Sequence, residues 1–531
     1  MGLKGNTMPN RVLIYDTTLR DGCQGEGIAL SVEDKLLIAR RLDEFGVTYI
    51  EGGWPNPTSP KDREFFERAA DLKWRHAKIA AFGSTRRAGI APEDDDNLRD
   101  LVASRAPVVT IFGKSWDFHV TKIIRTSLAE NLRMIEDSVA WLKTHVPEVI
   151  FDGEHFFDGY KADPAFALET LQAAVRGGAD SLCLCDTNGG TLPMEVVSIV
   201  EAVRQEVKLP LGIHCHNDSG TAVASSVMAV QAGCRQVQGT INGFGERAGN
   251  ADLCVIIPNI ELKLDRRCLP KGKLVDVTTV SHYVSELANL APNSRAPYVG
   301  HSAFAHKGGM HVNAVMKHPA SFEHIEPELV GNERRILVSD YSGSSTILGK
   351  LQKVWPDLDR KDPIVADVLR RVKDLENEGY QFEAAEGSLE LLARRLRGEL
   401  EEAFDLHGYR VTIFKPDETS EPFSEATLKV SIGDREVHTA AEGDGPVNAL
   451  DNALRKALTE LFPRLQSLQL VDYKVRVLTA DEGTATKVRV LIETTDGTHN
   501  WGTVGVHENI IEASWQALID AVVYGLLKNG H

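Results

Sequence analysis

Between Val12 and Ile241 the chain repeats one unit, a short apolar run followed by a polar turn and an amphipathic stretch. No other feature restricts its fold so tightly. Residues 12–15, 48–52, 78–82, 108–112, 149–151, 181–185, 211–216 and 236–241 read as strands. Helical patterns fill the gaps at 31–45, 60–72, 92–104, 127–145, 163–175, 192–207 and 221–232. In the first of these Ile38, Leu42 and Phe45 share a face, and Ser31 followed by Glu33 and Asp34 marks a helix start. Gly46, Gly177 and Gly233 stand where helices should stop. Eight strands, each with a helical segment, in roughly 260 residues match a (β/α)8 TIM barrel, expected over residues 10–270. The structural rival is a doubly wound open sheet. Its Gly-rich dinucleotide turn is missing after the first strand, where Asp16-Thr17-Thr18-Leu19-Arg20-Asp21-Gly22 stands instead.

At 531 residues the chain exceeds one ordinary domain. From about Lys271 the strand–helix rhythm stops, and residues 271–400 read as a mainly helical connector or lid, with helices at 278–291, 363–378 and 382–400. Within it a small-residue loop carries His301, His306 and His311, which fits a second metal site, a catalytic lid or a plain connector. Residues 401–531 read as a separate α+β module. It has strands at 409–414, 426–432, 435–440, 473–478 and 487–492, helices at 446–461 and 510–527, and a turn-rich stretch at 502–507.

A net charge of −17 excludes bulk-charge binding to nucleic acid or an anionic membrane, so anionic substrates must meet a local basic group. Cys183 and Cys185 share a strand face and read as small buried hydrophobes in a reducing compartment, although a C-x-C pair can also bind metal. Residues 1–10 hold no apolar segment, and no run approaches the ~18 apolar residues of a membrane span. A cytoplasmic protein is the expectation.

Barrel enzymes place their chemistry at the C-terminal ends of the strands. Here those ends supply Asp16, Arg20 and Asp21; Glu51; Asp152, Glu154 and His155; Asp186, Thr187 and Asn188; His214 and His216; and Asn242. In a strand alternate side chains share a face, so His214 and His216 point to one spot, as the imidazoles of a metal site must. Core histidines with ordinary hydrogen bonds are the plainer reading of such a pair. The segment 242–250 is rich in glycine but mismatches the dinucleotide fingerprint, and reads as a tight rim loop.

Taken together, the segments 16–22, 214–218 and 242–250 resemble the signatures of the acyltransferase/lyase barrel family containing 2-isopropylmalate synthase, homocitrate synthase, citramalate synthase and hydroxymethylglutaryl-CoA lyase. The resemblance covers essentially the whole chain, since the last module is similar to the family's dimeric regulatory domain. Segments 51–57, 151–159 and 186–190 look most like the citramalate synthase branch, which condenses pyruvate with acetyl-CoA and is associated with isoleucine biosynthesis. The resemblance implies that Asp21, His214, His216 and Asn250 hold a divalent ion, with manganese, magnesium, cobalt and zinc all suited to mixed imidazole and oxygen ligands. It further implies that Arg20 and Thr187 bind substrate, that Glu154 is the base, and that His311 reaches the active site of the partner subunit. Tyr341, the first tyrosine after His311, is assigned no role. A homodimer with isoleucine as feedback inhibitor is implied as well. Alternatives are 2-isopropylmalate or homocitrate synthesis, a carbon–carbon lyase, and a non-catalytic metabolite-binding protein. The lyase would lack the terminal module and keep a cysteine loop not found here, and the binding protein leaves Glu154 and Arg20 without purpose.

Overall fold

The structure, a computed structural model, describes residues 10–339, 342–478 and 486–528, so Tyr341 lies outside the described residues. Eight parallel strands form a closed barrel: β1 (Leu13–Asp16), β2 (Tyr49–Gly53), β3 (Lys78–Ser84), β4 (Val108–Lys114), β5 (Glu148–Glu154), β6 (Ser181–Asp186), β7 (Leu211–Cys215) and β8 (Gln236–Gly239). Strand β1 pairs with β2 on one side and with β8 on the other, which rules out the open sheet.

Helices α1 (Val32–Phe45), α2 (Pro60–Ala69), α3 (Asp96–Ala103), α4 (Leu128–Lys143), α5 (Phe156–Ala162), α6 (Pro164–Gly177), α7 (Pro193–Glu206), α8 (Ala222–Ala232) and α9 (Leu253–Lys263) surround it. Strand faces turned toward these helices carry Ile14, Ile50, Phe151, Leu182 and Ile213, all fully buried in one continuous core. Each such side chain contributes about 1.5–3 kcal/mol by leaving water. Inside the barrel, Leu13, Tyr15, Tyr49, Ala80, Val108 and Ile150 form a second, smaller cluster.

Local chemistry explains most of the boundaries. Ser31 and Asp34 form a reciprocal capping box at the start of α1, and Gly46 closes that helix at φ 99°. Gly233 closes α8 at φ 119°. The stop expected at Gly177 falls instead at Gly178, whose φ is 92°. Gly177 is the last helical residue because α4 packs there: a Cβ would lie 2.7 Å from the Glu136 carbonyl oxygen. Helix α5 was not legible, being short and carrying Gly159, where a Cβ would meet the Ser115 carbonyl oxygen at 2.0 Å. Nor was α9, which is apolar nearly all round and contains Pro258.

The chain divides into two compact units, residues 1–304 with 325–333, and residues 305–324 with 334–531. The first holds the barrel and α10 (Val277–Leu287), whose Val277, Val280 and Val284 join the main core. The second opens with β9 (Ala305–His306), α11 (Gly309–Lys317) and β10 (Arg335–Ile336), which pairs in parallel with β9. Helices α12 (Ser344–Leu351), α13 (Pro363–Asn377) and α14 (Glu386–Arg397) follow. Two successive β-β-β-α repeats complete the unit. The first comprises β11 (Asp405–Phe414), β12 (Phe423–Ile432), β13 (Arg435–Gly443) and α15 (Pro446–Leu458). The second comprises β14 (Gln469–Val477), β15 (Val488–Thr495), β16 (Asn500–His507) and α16 (Ile510–Lys528).

Two expectations are corrected here. The stretch 502–507, read as turn-rich, is strand β16. Its glycines serve close packing, since a Cβ at Gly502 or Gly505 would lie 1.8 Å from the Ala384 or 2.0 Å from the Ala513 carbonyl oxygen. Helix α16 has a mean hydropathy of 1.4 over an 18-residue window, so one run is long and apolar enough to cross a membrane, against the expectation of none. In the structure its Trp515, Leu518, Val522 and Leu526 are buried in the module, as in the core helix of a globular domain.

Candidate active site

The turn after β1 is pinned before it delivers its functional residues. The Asp16 carboxylate accepts from the Thr18 N–H at 2.9 Å and its hydroxyl at 3.0 Å, and Thr18 Oγ1 in turn accepts from the Ile241 N–H at 2.9 Å. Arg20 and Asp21 follow, both largely buried. Asp21 Oδ2 lies 3.5 Å from His214 Nε2 and 3.9 Å from His216 Nε2. One ligand atom from each of the three falls within 4.8 Å of the others, so the structure brings the expected trio together.

Asn250 completes the neighbourhood. Its backbone bridges to His216 across the strand end, and its Nδ2 donates to the Phe244 carbonyl at 3.2 Å. Among the described residues its Oδ1 is buried without a partner, as is His216 Nδ1. The rim loop can bend this sharply because Gly249, at φ 87°, passes where a Cβ would lie 2.1 Å from the Gly243 carbonyl oxygen.

Electrostatics suit the same purpose. Burial pushes His214 down to about 3, against the pull of Asp21, and lowers His216 as well, so both rings are neutral with lone pairs to give. Burial would raise Asp21, but the Arg20 guanidinium leads the groups that outweigh it and hold the carboxyl below its usual range. Two neutral imidazoles, one carboxylate and an orphaned amide oxygen fit a divalent cation with mixed nitrogen and oxygen ligands.

Behind the trio runs a buried polar chain. Arg20 Nε donates to Glu51 Oε1 at 2.6 Å, Tyr15 donates to Glu51 Oε2 at 2.7 Å, and the Tyr15 hydroxyl lies 2.8 Å from Thr110 Oγ1. Burial raises Glu51, Arg20 and the Tyr15 hydrogen bond opposing it, and Asp152 is pushed up to about 8 by burial and by the Glu51 charge. The guanidinium carbon of Arg20 stands 3.7 Å over the Phe82 ring. Phe82 stacks on Phe112 at 5.4 Å, and Trp54 meets both edge-on at 5.9 and 5.7 Å. Of these aromatic walls only Trp54 lay in a segment singled out by resemblance; Phe82 and Phe112 had no sequence signal beyond their apolar character.

Glu154 ends β5 beside Lys114, its register partner on β4, and the Lys114 ammonium pairs with its Oε2. Thr187 Oγ1 accepts the His155 N–H at 2.9 Å, which leaves its hydroxyl hydrogen to offer. Asn242, counted among the rim residues, turns away from the mouth. At φ 62° it donates to the Ser281 carbonyl and Ser285 Oγ, both at 2.9 Å, and strand β8 contributes Gln238 to the site in its place. Asp186 is likewise spent locally, on Thr191.

His311 belongs to the second unit, exposed on α11 with its ring stacked on Phe322 at 4.2 Å. His306 pairs with the buried Glu323 at 3.0 Å, and Arg334 shares that carboxylate. None of the three connector histidines joins a metal-holding cluster among the described residues. Cys183 and Cys185 do cluster, with Asp152, and all three are buried.

Residues 11–284 match the HMGL-like family, residues 298–380 the homocitrate synthase post-HMGL domain-like family, and residues 383–526 the LeuA allosteric (dimerisation) domain. The (R)-citramalate synthase of Geobacter sulfurreducens is 56% identical over 518 residues, which span 98% of both chains. That of Aquifex aeolicus is 54% identical, over 98% of this chain and 99% of the relative. A probable 2-isopropylmalate synthase of Methanopyrus kandleri is 33% identical, over 97% of this chain and 98% of its own.

Proposed function

This chain belongs to the HMGL-like family, and from that premise we propose that it is an acyltransferase that joins acetyl-CoA to pyruvate, hydrolyses the thioester and releases citramalate and CoA. Full-length identity of 46–56% to five (R)-citramalate synthases, against 33% to the 2-isopropylmalate synthase relative, supports that choice of branch. The observation that carries the chemistry is the Arg20 fork set between the Asp21–His214–His216 trio and an aromatic wall.

Arg20 spends Nε on Glu51, which fixes the plane of the guanidinium and directs its remaining N–H groups to a substrate carboxylate. Thr187 adds a hydroxyl donor to the same group. A divalent ion held by Asp21, His214, His216 and Asn250 would polarise the carbonyl of the 2-oxo acid as a Lewis acid. Glu154 takes a proton from the methyl group of acetyl-CoA, and the carbon so freed forms the new bond to the ketone carbon. Lys114 holds Oε2 of Glu154 toward β4 and leaves Oε1 to take the proton. Water then cleaves the thioester, which makes the sequence effectively irreversible.

Phe82, Phe112 and Trp54 pack on one another beside Arg20 as one wall of the site. The resemblance assigns His311 to turnover from the connector, and its exposure on α11 is compatible with that role. The C-terminal module is read as the site of homodimerisation and of feedback by isoleucine, the amino acid that the branch serves. Exposed apolar side chains on its edge strands, among them Ile413 and Phe414 on β11 and Val475 and Val477 on β14, support association.

The test is CoA release from acetyl-CoA with pyruvate, 2-oxoisovalerate and 2-oxoglutarate in turn. Turnover dominated by pyruvate is expected. Preference for either larger acid would move the enzyme to the 2-isopropylmalate or homocitrate branch, and no CoA release with any acid would remove the synthase reading.

A further inference from the structure

Gln238 has not been given a function, and its surroundings suggest one. It lies on β8 facing the barrel interior, fully buried, between Asp152 of β5 and His214 of β7. Its Nε2 donates to Asp152 Oδ1 at 3.0 Å, and its Oε1 lies 3.0 Å from His214 Nδ1. A glutamine amide has one donor end and one acceptor end. Asp152 Oδ1 accepts when the carboxyl is ionised, and also when it is neutral with the proton on Oδ2, so it takes the donor end. The acceptor end must then face the imidazole, and Nδ1 carries the ring hydrogen. His214 Nε2, aimed at Asp21, keeps its lone pair. On the other side of Asp152 stand the thiols of Cys183 and Cys185, which are weak donors and compete poorly for it.

We infer that Asp152 and Gln238 form a positioning relay that fixes the tautomer of His214 and thereby the affinity of the Asp21–His214–His216 site for a divalent cation. The inference rests on the reading of His214 as a ligand. Without the carboxyl, nothing stops the Gln238 amide from turning over. An inverted amide presents N–H groups to Nδ1 and favours the tautomer with hydrogen on Nε2, which cannot ligate from that atom. Outer partners of ligand histidines commonly change metal affinity by about 10–100-fold.

The test uses the full-length protein stripped of metal. Its Mn2+ affinity is measured by competition with a chromophoric chelator, and its histidine tautomers by 15N NMR of histidine-labelled protein, with His214→Ala assigning the resonance. Asp152→Leu and Gln238→Met, each close in size to the residue it replaces, should weaken Mn2+ binding by about 10–100-fold. Asp152→Asn keeps an acceptor for Gln238 and should restore most of the affinity. Asp152→Leu should also move the metal-free His214 signal toward the Nε2–H form. If Asp152→Leu does not fold, Gln238→Met carries the affinity measurement alone.

Wild-type affinity in Asp152→Leu or Gln238→Met, with binding lost in His214→Ala, would overturn the relay and leave the metal site standing. Equal loss in Asp152→Asn and Asp152→Leu would overturn it too, since keeping the acceptor for Gln238 would then make no difference. Wild-type affinity in His214→Ala sinks the metal site and the relay together.

Discussion

Glu154 has the shape of a base and a lysine for a neighbour, and its role divides cleanly by substitution. Glu154→Gln preserves size and hydrogen bonding but cannot take a proton. Steady-state kinetics should show kcat lowered by about 10²–10⁴-fold with the KM for pyruvate nearly unchanged. A change confined to KM would leave Glu154 as a substrate-positioning group. Asp152 offers a second test at this scale. Its folded value of about 8 lies above the ordinary carboxylate value near 4, so between those limits the folded state holds a proton that the unfolded chain has released. That contribution to stability is complete at the acid end and is lost as pH rises toward 8. In thermal unfolding of the metal-free protein, wild type should therefore fall relative to Asp152→Asn between pH 5 and pH 8. Parallel curves for the two would mean that Asp152 is already ionised at pH 5. The candidate ligands His214 and His216 were legible because alternation along one strand puts them on one face, which needs no knowledge of the rest of the chain. Gln238, Lys114 and Phe82 were not, because their meaning depends on which strand lies beside or across the barrel from them. An amide, an amine or a phenyl ring carries no such information in its own segment.

At the scale of elements, the rim loop after β8 depends on glycine backbone more than on any side chain within it. Gly249→Ala would force a left-handed φ on alanine and drive its Cβ against the Gly243 carbonyl oxygen, a strain of about 1–3 kcal/mol concentrated beside Asn250. Calorimetric titration with Mn2+ should show affinity reduced at least tenfold, while circular dichroism shows the barrel still folded. Undiminished affinity would mean that Asn250 finds its place without the tight turn. The loop was legible as tight and the family resemblance implied a role for Asn250, whereas the Asn250–His216 bridge that places it came only with the fold. Glycine also explains the main misreading. In β16 the residues Gly502 and Gly505 suggested turns, yet they admit the carbonyls of Ala384 and Ala513, and without β16 the twofold β-β-β-α repeat of the module stayed hidden. Helices with one apolar stripe, such as α1 and α4, were legible nearly to their ends. Helix α9, buried on most sides, showed no period to read.

For the whole molecule, the question is how a module at the end of the chain could govern chemistry in the barrel. The chain passes between the two units after Phe304, after His324 and again after Glu333, so the second unit is tied to the first by more than one covalent connection. Within the second unit a packed path leads away from the module. Val504 of β16 donates its N–H to Ser388 Oγ of α14 at 3.0 Å, and Arg395 of α14 pairs with Asp520 of α16 at 3.0 Å. Helices α14, α13, α12 and α11 then contact one another in turn, and α11 carries His311. Val504 and Val506 share one apolar core with α12, α13 and α14, so truncation from Phe404 would expose that core as well as remove the module. A point change is the cleaner probe. An effector that favours one arrangement of this path over another would lower turnover, and such coupling commonly amounts to 5–150-fold. Isoleucine, titrated into the intact enzyme at subsaturating acetyl-CoA, should inhibit CoA release. Arg395→Ala, which removes one of the links between α14 and α16, should keep isoleucine binding by calorimetry while weakening the inhibition. Inhibition unchanged in Arg395→Ala would route the coupling elsewhere, and neither inhibition nor binding in the wild type would leave the module with dimerisation alone.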